Sequence, residues 1–200
     1  MVGERFALKI MGISADANYG LFIHVPKTGG SNFIRARRRH LTAEEFFRFF
    51  PHVSEVTAFW SIYRDPVERF ESTVNYLIGG GNGLTQGVAG DLQFFDRYGV
   101  GSSTWEEQCK FCEDNLTVLM ENERMFWPQS RFLYAANVFA PSKYLELGSR
   151  AFKEMLEGAS VAERRNNRRV SMYTCGPDFI KVIRAAYKDD YSLVRYVIER

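Results

Sequence analysis

Apolar residues dominate the short run Gly20-Leu-Phe-Ile-His-Val25, which stops at Pro26. Such a run, bounded by a proline, predicts a buried strand. Lys27-Thr-Gly-Gly-Ser-Asn32 follows as a glycine-containing turn, and Phe33 to Arg39 has a helical pattern with Ser31 or Asn32 as N-cap. Thr42-Ala-Glu-Glu45 has the spacing of a capping box and opens a second helix over Ala43 to Phe50, closed by Pro51. Thr57 to Tyr63 is a second buried-strand pattern. Arg64 stands at its carboxyl end, and Asp65-Pro66-Val67-Glu68 starts a helix that runs to about Ile78. In that start Asp65 caps, Pro66 takes the first helical position and Glu68 lies three residues on.

Gly79 ends this helix and opens a glycine-rich stretch, read as a loop or lid over residues 79–103. Thr104 to Glu121 reads as one helix, Arg131 to Ala135 as a short strand or extended segment, and Tyr144 to Gly158 as mostly helical. Residues 164–175 read as polar and irregular. Apolar positions at Phe179, Ile180, Val182, Ile183 and Tyr187 form a helical face over Pro177 to Lys188, and a last helix spans Tyr191 to Ile198. Strand, turn, helix, then strand and helix again predict an α/β fold with parallel strands. In such sheets ligands bind beyond the carboxyl ends of the strands, where Lys27 and Arg64 fall.

Composition narrows the picture. The 200 residues are 46% hydrophobic, 25% charged and 15% aromatic, which predicts one globular domain with a substantial core. No apolar run is long enough to span a membrane, and the first 20 residues do not read as a secretory signal, so a cytoplasmic protein is expected. A net charge of +2 does not make a general nucleic-acid binder. Yet 19 of the 26 basic residues are Arg, the fork-shaped donor suited to phosphate and sulfate. They cluster at Arg35, Arg37, Arg38 and Arg39, and at Arg164, Arg165, Arg168 and Arg169. Each cluster is either a solvated face or an anion grip. The cysteines at 109, 112 and 175 make no disulfide framework, and Cys109-x-x-Cys112 has no second pair to complete a zinc site.

Two segments carry chemistry. In Val25-Pro-Lys-Thr-Gly-Gly-Ser-Asn32 a strand feeds a turn whose glycines permit unusual backbone angles and close approach to an anion. The helix that follows presents free N–H groups, so the result is a phosphate cradle with Lys27 at its mouth. The lysine precedes the glycines, the reverse of the nucleoside triphosphatase loop. In Tyr63-Arg-Asp-Pro-Val-Glu-Arg-Phe-Glu-Ser72, Arg64 and Ser72 are eight residues apart, about two helical turns, and an Arg fork with a hydroxyl can grip a second phosphate.

Together these segments resemble the sulfotransferase family, in particular the carbohydrate sulfotransferase branch with a Pro-Lys-Thr-Gly loop. Weaker likenesses are His40-Leu-Thr-Ala43, Pro128-Gln129 with Phe132-Leu133, Asn167 to Ser171, and Tyr187-Lys-Asp-Asp-Tyr191. Where the branch often has a His before Pro-Gln, this chain has Phe126-Trp127. The resemblance implies a P-loop-like three-layer fold with a central parallel sheet between helices. It also implies a donor, 3′-phosphoadenosine 5′-phosphosulfate (PAPS), with adenosine 3′,5′-bisphosphate (PAP) as product and no metal. Lys27, Thr28, Gly29, Gly30, Ser31 and Asn32 would hold the 5′-phosphosulfate, and Arg64 and Ser72 the 3′-phosphate.

On this reading Lys27 stabilises charge on the departing oxygen. His40 is the leading general base, because an imidazole titrates near neutral pH and the resemblance puts it in that role. His52 is a second candidate, Glu44 and Glu45 are runners-up, and His24 fits a packed strand residue better. Arg35, Arg38, Arg168 and Arg169 are candidate contacts to donor or acceptor. Phe94, Phe95, Trp105, Phe126 and Trp127 either wall an acceptor pocket or belong to the core. The acceptor is expected to be a glycan or a small metabolite. The other readings are a small nucleotide or metabolite kinase and a non-catalytic nucleotide- or polyanion-binding module.

Overall fold

The computed structural model describes residues 15–16, 20–30, 40–49, 51, 59–79, 93–158 and 173–198. Along the chain these form β1 (Ala15–Asp16), β2 (Gly20–Phe22), α1 (Ala43–Phe49), β3 (Phe59–Tyr63), α2 (Pro66–Ile78), α3 (Phe94–Arg97), α4 (Trp105–Asp114) and α5 (Leu116–Asn122). They continue as α6 (Gln129–Leu133), β4 (Tyr134–Ala135), β5 (Val138–Phe139), β6 (Lys143–Glu146), α7 (Arg150–Gly158), α8 (Pro177–Ala186) and α9 (Lys188–Ser192). A 3₁₀ turn, Leu193–Tyr196, leads into β7 (Val197–Ile198). The described residues fall into two compact units. The first is drawn from Met1–Arg64, Pro128–Arg165 and Asp189–Arg200, the second from Asp65–Trp127 and Asn166–Lys188.

The first unit is mixed α/β, as expected. Its sheet runs in the order β1-β2-β3-β6-β7, with β1 antiparallel and the other four strands parallel. Leu21 pairs with Phe59, Tyr63 with Glu146, and Leu145 with Ile198. Every residue of β3 is buried, as a central parallel strand covered on both faces requires. Phe22, Trp60, Ile62 and Leu145 make a core with Phe152 and Met155 of α7. Burying each such side chain contributes about 1.5–3 kcal/mol. The β2–β3 ladder continues past β2, where the Ile23 N–H donates to the Trp60 carbonyl at 2.9 Å. The Ser61 hydroxyl returns a 2.8 Å bond to the Ile23 carbonyl, so the chain entering the Lys27 turn is tied to β3 from both sides.

α1 starts as predicted. The Thr42 hydroxyl accepts from the Glu45 N–H at 3.0 Å, and the Glu45 carboxylate accepts from the Thr42 N–H at 2.9 Å. Phe46 then meets Phe59 edge to face at 5.3 Å.

In the second unit the Asp65 carboxylate accepts from Val67 at 2.8 Å and Glu68 at 3.3 Å, and Pro66 takes the first position of α2. Phe70, Val74 and Leu77 of α2 pack with Phe94, Phe95, Cys112, Leu119, Phe126, Ile183 and Tyr187. Among them runs Arg69, only 2% exposed. Its guanidinium donates to the carbonyls of Met125, at 3.1 Å, and Trp127, and lies 5.9 Å from the Tyr187 ring centre. The Tyr187 hydroxyl donates to the intervening Phe126 carbonyl at 2.6 Å. Asn75 clamps the backbone of Tyr173, accepting from its N–H and donating to its carbonyl, each at 2.9 Å.

Several expected boundaries differ. The helix predicted from Tyr144 to Gly158 contains β6 and only then α7. Tyr144 and Leu145 are buried side by side between β3 and β7, and sheet pairing outweighs the local helical preference. The helix predicted from Tyr191 to Ile198 is likewise the end of α9, a 3₁₀ turn and β7. The single helix over Thr104–Glu121 breaks at Asn115, whose side chain donates to the Phe111 carbonyl at 2.9 Å beside its own N–H. Arg131 to Leu133 is helical, and only Tyr134–Ala135 is extended. Within the glycine-rich stretch, residues 80–92 lie outside the described residues, and α3 buries Phe94 and Phe95 in the second core. No described helix is long and apolar enough to cross a membrane.

Replacing Arg69 with Met removes the guanidinium from the Met125 and Trp127 carbonyls and leaves the former only a long 3.5 Å bond from the Thr73 hydroxyl. We expect a loss of about 2–4 kcal/mol in urea denaturation. A loss below about 0.5 kcal/mol would show that those carbonyls find other partners.

Candidate functional site

The carboxyl ends of β2 and β3 lie side by side, and each leads into one of the two segments singled out above. After β2 the chain turns at Pro26-Lys27. Lys27 has a φ of 65°, a left-handed backbone conformation that glycine usually supplies. A lysine there costs about 1–2 kcal/mol relative to ordinary backbone. The turn holds because the Thr28 hydroxyl donates to the Val25 carbonyl at 3.0 Å, with Thr28 fully buried. The single hydroxyl hydrogen of Thr28 is therefore engaged within the turn.

The two glycines that follow are required by the protein's own packing. Gly29 has a φ of 83°, and a β-carbon there would come within 2.6 Å of Leu147 Cδ1. Gly30 has an ordinary φ, but its β-carbon would sit 2.3 Å from Cδ2 of His24 and 2.8 Å from Cε1 of Phe22. His24 is thus a packed residue, as expected, wedged between Gly30 and His40.

His40 returns to the same place. Its Nδ1 lies 3.1 Å from the His24 carbonyl oxygen, and the two imidazole centres are 4.4 Å apart. A carbonyl oxygen only accepts, so His40 Nδ1 carries the hydrogen and donates it. In the neutral ring the lone pair then resides on Nε2, which is the tautomer a general base needs. Glu45 is held in the capping box, and Glu44 is exposed.

Arg64 directly follows β3. Its Nη1 donates to the Lys27 carbonyl at 3.1 Å, so the guanidinium of one segment touches the backbone of the other. The Arg64 backbone is gripped in turn by the Gln129 amide, whose Oε1 accepts from its N–H at 3.1 Å and whose Nε2 donates to its carbonyl at 2.7 Å. The completely buried Asp190 carboxylate accepts from the N–H groups of Gln129 and Ser130, both at 2.8 Å. The Pro-Gln and Tyr-x-x-Asp-Tyr segments marked these two residues in the sequence, but nothing local shows that they meet.

The structure therefore brings together Lys27, Thr28, Gly29, Gly30, His40 and Arg64 in the first unit. Ser72 stands on α2 in the second unit and is half-buried. Ser31, Asn32, Arg35, Arg38, His52, Arg168 and Arg169 lie outside the described residues. Of the aromatic candidates, Phe94, Phe95 and Phe126 are core, Trp105 is exposed, and Trp127 is half-buried with its indole N–H on the Glu121 carbonyl. Burial pushes the Cys109 thiol up to about 11 and Cys112 further, with nearby negative groups adding to both. Burial likewise raises Cys175 to about 12. These thiols stay protonated at neutral pH and are poor nucleophiles. Among the described residues no cluster of three or more His, Cys, Asp or Glu side chains is arranged to hold a metal.

Compared with family models, with curated proteins and with solved structures, the chain matches none.

The strain at residue 27 separates chemistry from stability. Lys27→Gly is expected to raise unfolding free energy by about 1 kcal/mol while removing the ammonium from the turn. Denaturant midpoints of the two proteins check this. A glycine variant less stable than the parent would show that the lysine side chain supports the fold.

Proposed function

We propose that this protein is a sulfotransferase that moves the sulfuryl group of PAPS to a hydroxyl or amine of a small metabolite or glycan, releasing PAP. The observation that carries this reading is the 3.1 Å bond from Arg64 Nη1 to the Lys27 carbonyl. It couples two cationic residues at the tips of adjacent parallel strands, a fitting arrangement for a nucleotide with an anionic group at each end. The parallel sheet with its strand-to-turn lysine loop is in keeping with a P-loop-like three-layer architecture.

The residues present fit that donor. The loop of Thr28, Gly29 and Gly30 supplies backbone N–H groups around an anion, and Lys27 supplies the cation. The donor brings a sulfuryl group already activated as a mixed phosphate–sulfate anhydride. Transfer breaks the bond from sulfur to the bridging oxygen and forms one from sulfur to the acceptor atom. The bridging electron pair leaves with the phosphate. Lys27 stabilises the charge that develops there, and fixed N–H dipoles do so without reorganising during the reaction. His40 Nε2 takes the acceptor proton, and the His24 carbonyl steadies the imidazolium through Nδ1. Arg64 fixes the far end of the donor.

Thermal-shift titration and sulfate transfer test the proposal together. PAP is expected to stabilise the protein without Mg²⁺, and Lys27→Ala to lower transfer by about 10²–10³-fold while still binding PAP. Stabilisation only by ATP with Mg²⁺ would move the assignment to a kinase. Equal, salt-sensitive stabilisation by any polyanion would make the protein a binding module.

A further inference from the structure

We propose that Gln129, oriented by Asp190, is a positioning residue that sets Arg64 for recognition of a 3′-phosphate. This rests on the donor reading above and adds to it the residues that give the site its preference.

The last ladder bond at the tip of β3 is the Tyr63 carbonyl, which accepts from the Leu147 N–H at 2.8 Å. Arg64, one residue later, gets its backbone partners from a side chain. A primary amide is the side-chain group that resembles a peptide, with a donor and an acceptor in one plane. Gln129 uses both, accepting from the Arg64 N–H and donating to the Arg64 carbonyl. The pairing also fixes the amide orientation, since the flipped amide would set donor against donor and acceptor against acceptor. Gln129 is completely buried, so neither of its groups has water to fall back on.

Gln129 is itself held in place. It is the first residue of α6, and Pro128 before it makes no side-chain cap. Asp190 takes that role from 61 residues away in sequence, one carboxylate oxygen on each of the N–H groups of Gln129 and Ser130. A chain of buried hydrogen bonds thus runs from the Asp190 carboxylate through Gln129 to the Arg64 backbone. From Arg64 the Nη1 bond continues to the Lys27 carbonyl. Loosening Gln129 frees the Arg64 backbone to rotate and lets its guanidinium leave the lysine turn. The lysine turn itself is held independently, by Thr28 and by the β2–β3 bonds. The 5′ end of the donor site is therefore insulated from this change, and the 3′ end is not.

The test is the ratio of dissociation constants for adenosine 5′-monophosphate and PAP, measured by calorimetry on the full chain. Gln129→Met removes the amide at similar volume. It is expected to cut the wild-type preference for PAP by about tenfold or more and to leave monophosphate affinity within about twofold. Adding Arg64→Ala to Gln129→Met should cost little further preference, because the two act as one unit. Asp190→Asn keeps an acceptor for one of the two N–H groups and is expected to give an intermediate ratio. It serves as the readout should Gln129→Met fail to fold. A preference that survives in the variant read, whatever its melting temperature, overturns the positioning role and leaves the donor reading intact. A wild-type ratio near one overturns the donor reading and this proposal with it.

Discussion

The Arg64 guanidinium donates from Nη1 to the Lys27 carbonyl at 3.1 Å, and the proposed chemistry depends on that contact. It is possible only because β2 and β3 are parallel neighbours in register, so that both chains leave the sheet at the same edge. The strands keep that register through a ladder extended by Ile23 and Ser61. Beyond the last ladder bond the protein changes materials. The lysine turn is closed by a threonine hydroxyl, and the arginine backbone is clamped by a glutamine amide. Each substitute is buried, so each has little freedom to exchange its partner for water.

The same region concentrates conformational cost. Lys27 occupies a backbone conformation that suits glycine, and Gly29 and Gly30 leave no room for a side chain against Leu147, His24 and Phe22. Strain of this kind persists where surrounding structure over-determines it. The strained residue is the one that carries the ammonium of the proposed donor site. His40 belongs to the same constellation, because its ring rests on His24 and its Nδ1 is committed to the His24 carbonyl. The end of β2 therefore anchors both the turn and the candidate base.

Local signals made much of this legible. The capping box at Thr42 and Glu45 and the Asp65-Pro66 helix start are short-range hydrogen-bond patterns, and they form as their spacing predicts. The placement of Lys27 and Arg64 at strand ends follows from two buried runs that end in polar residues. The misread elements depend on partners far away in sequence. β6 is four residues long, and its Tyr144-Leu145 pair has no period that separates a strand from a helix. It becomes a strand because β3 and β7 flank it. The Asp190–Gln129–Arg64 chain was invisible for the same reason. Gln129 lies 65 residues from Arg64 and 61 from Asp190, and no local pattern encodes a glutamine that pairs with a peptide.

A structure determined with PAP bound tests the central claim most directly. One molecule should span the two strand tips. Its 5′-phosphate should lie within about 3.5 Å of Lys27 Nζ and the loop N–H groups, and its 3′-phosphate within the same distance of the Arg64 guanidinium. A nucleotide bound elsewhere, or one that meets Lys27 while its 3′-phosphate points away from Arg64, would contradict it.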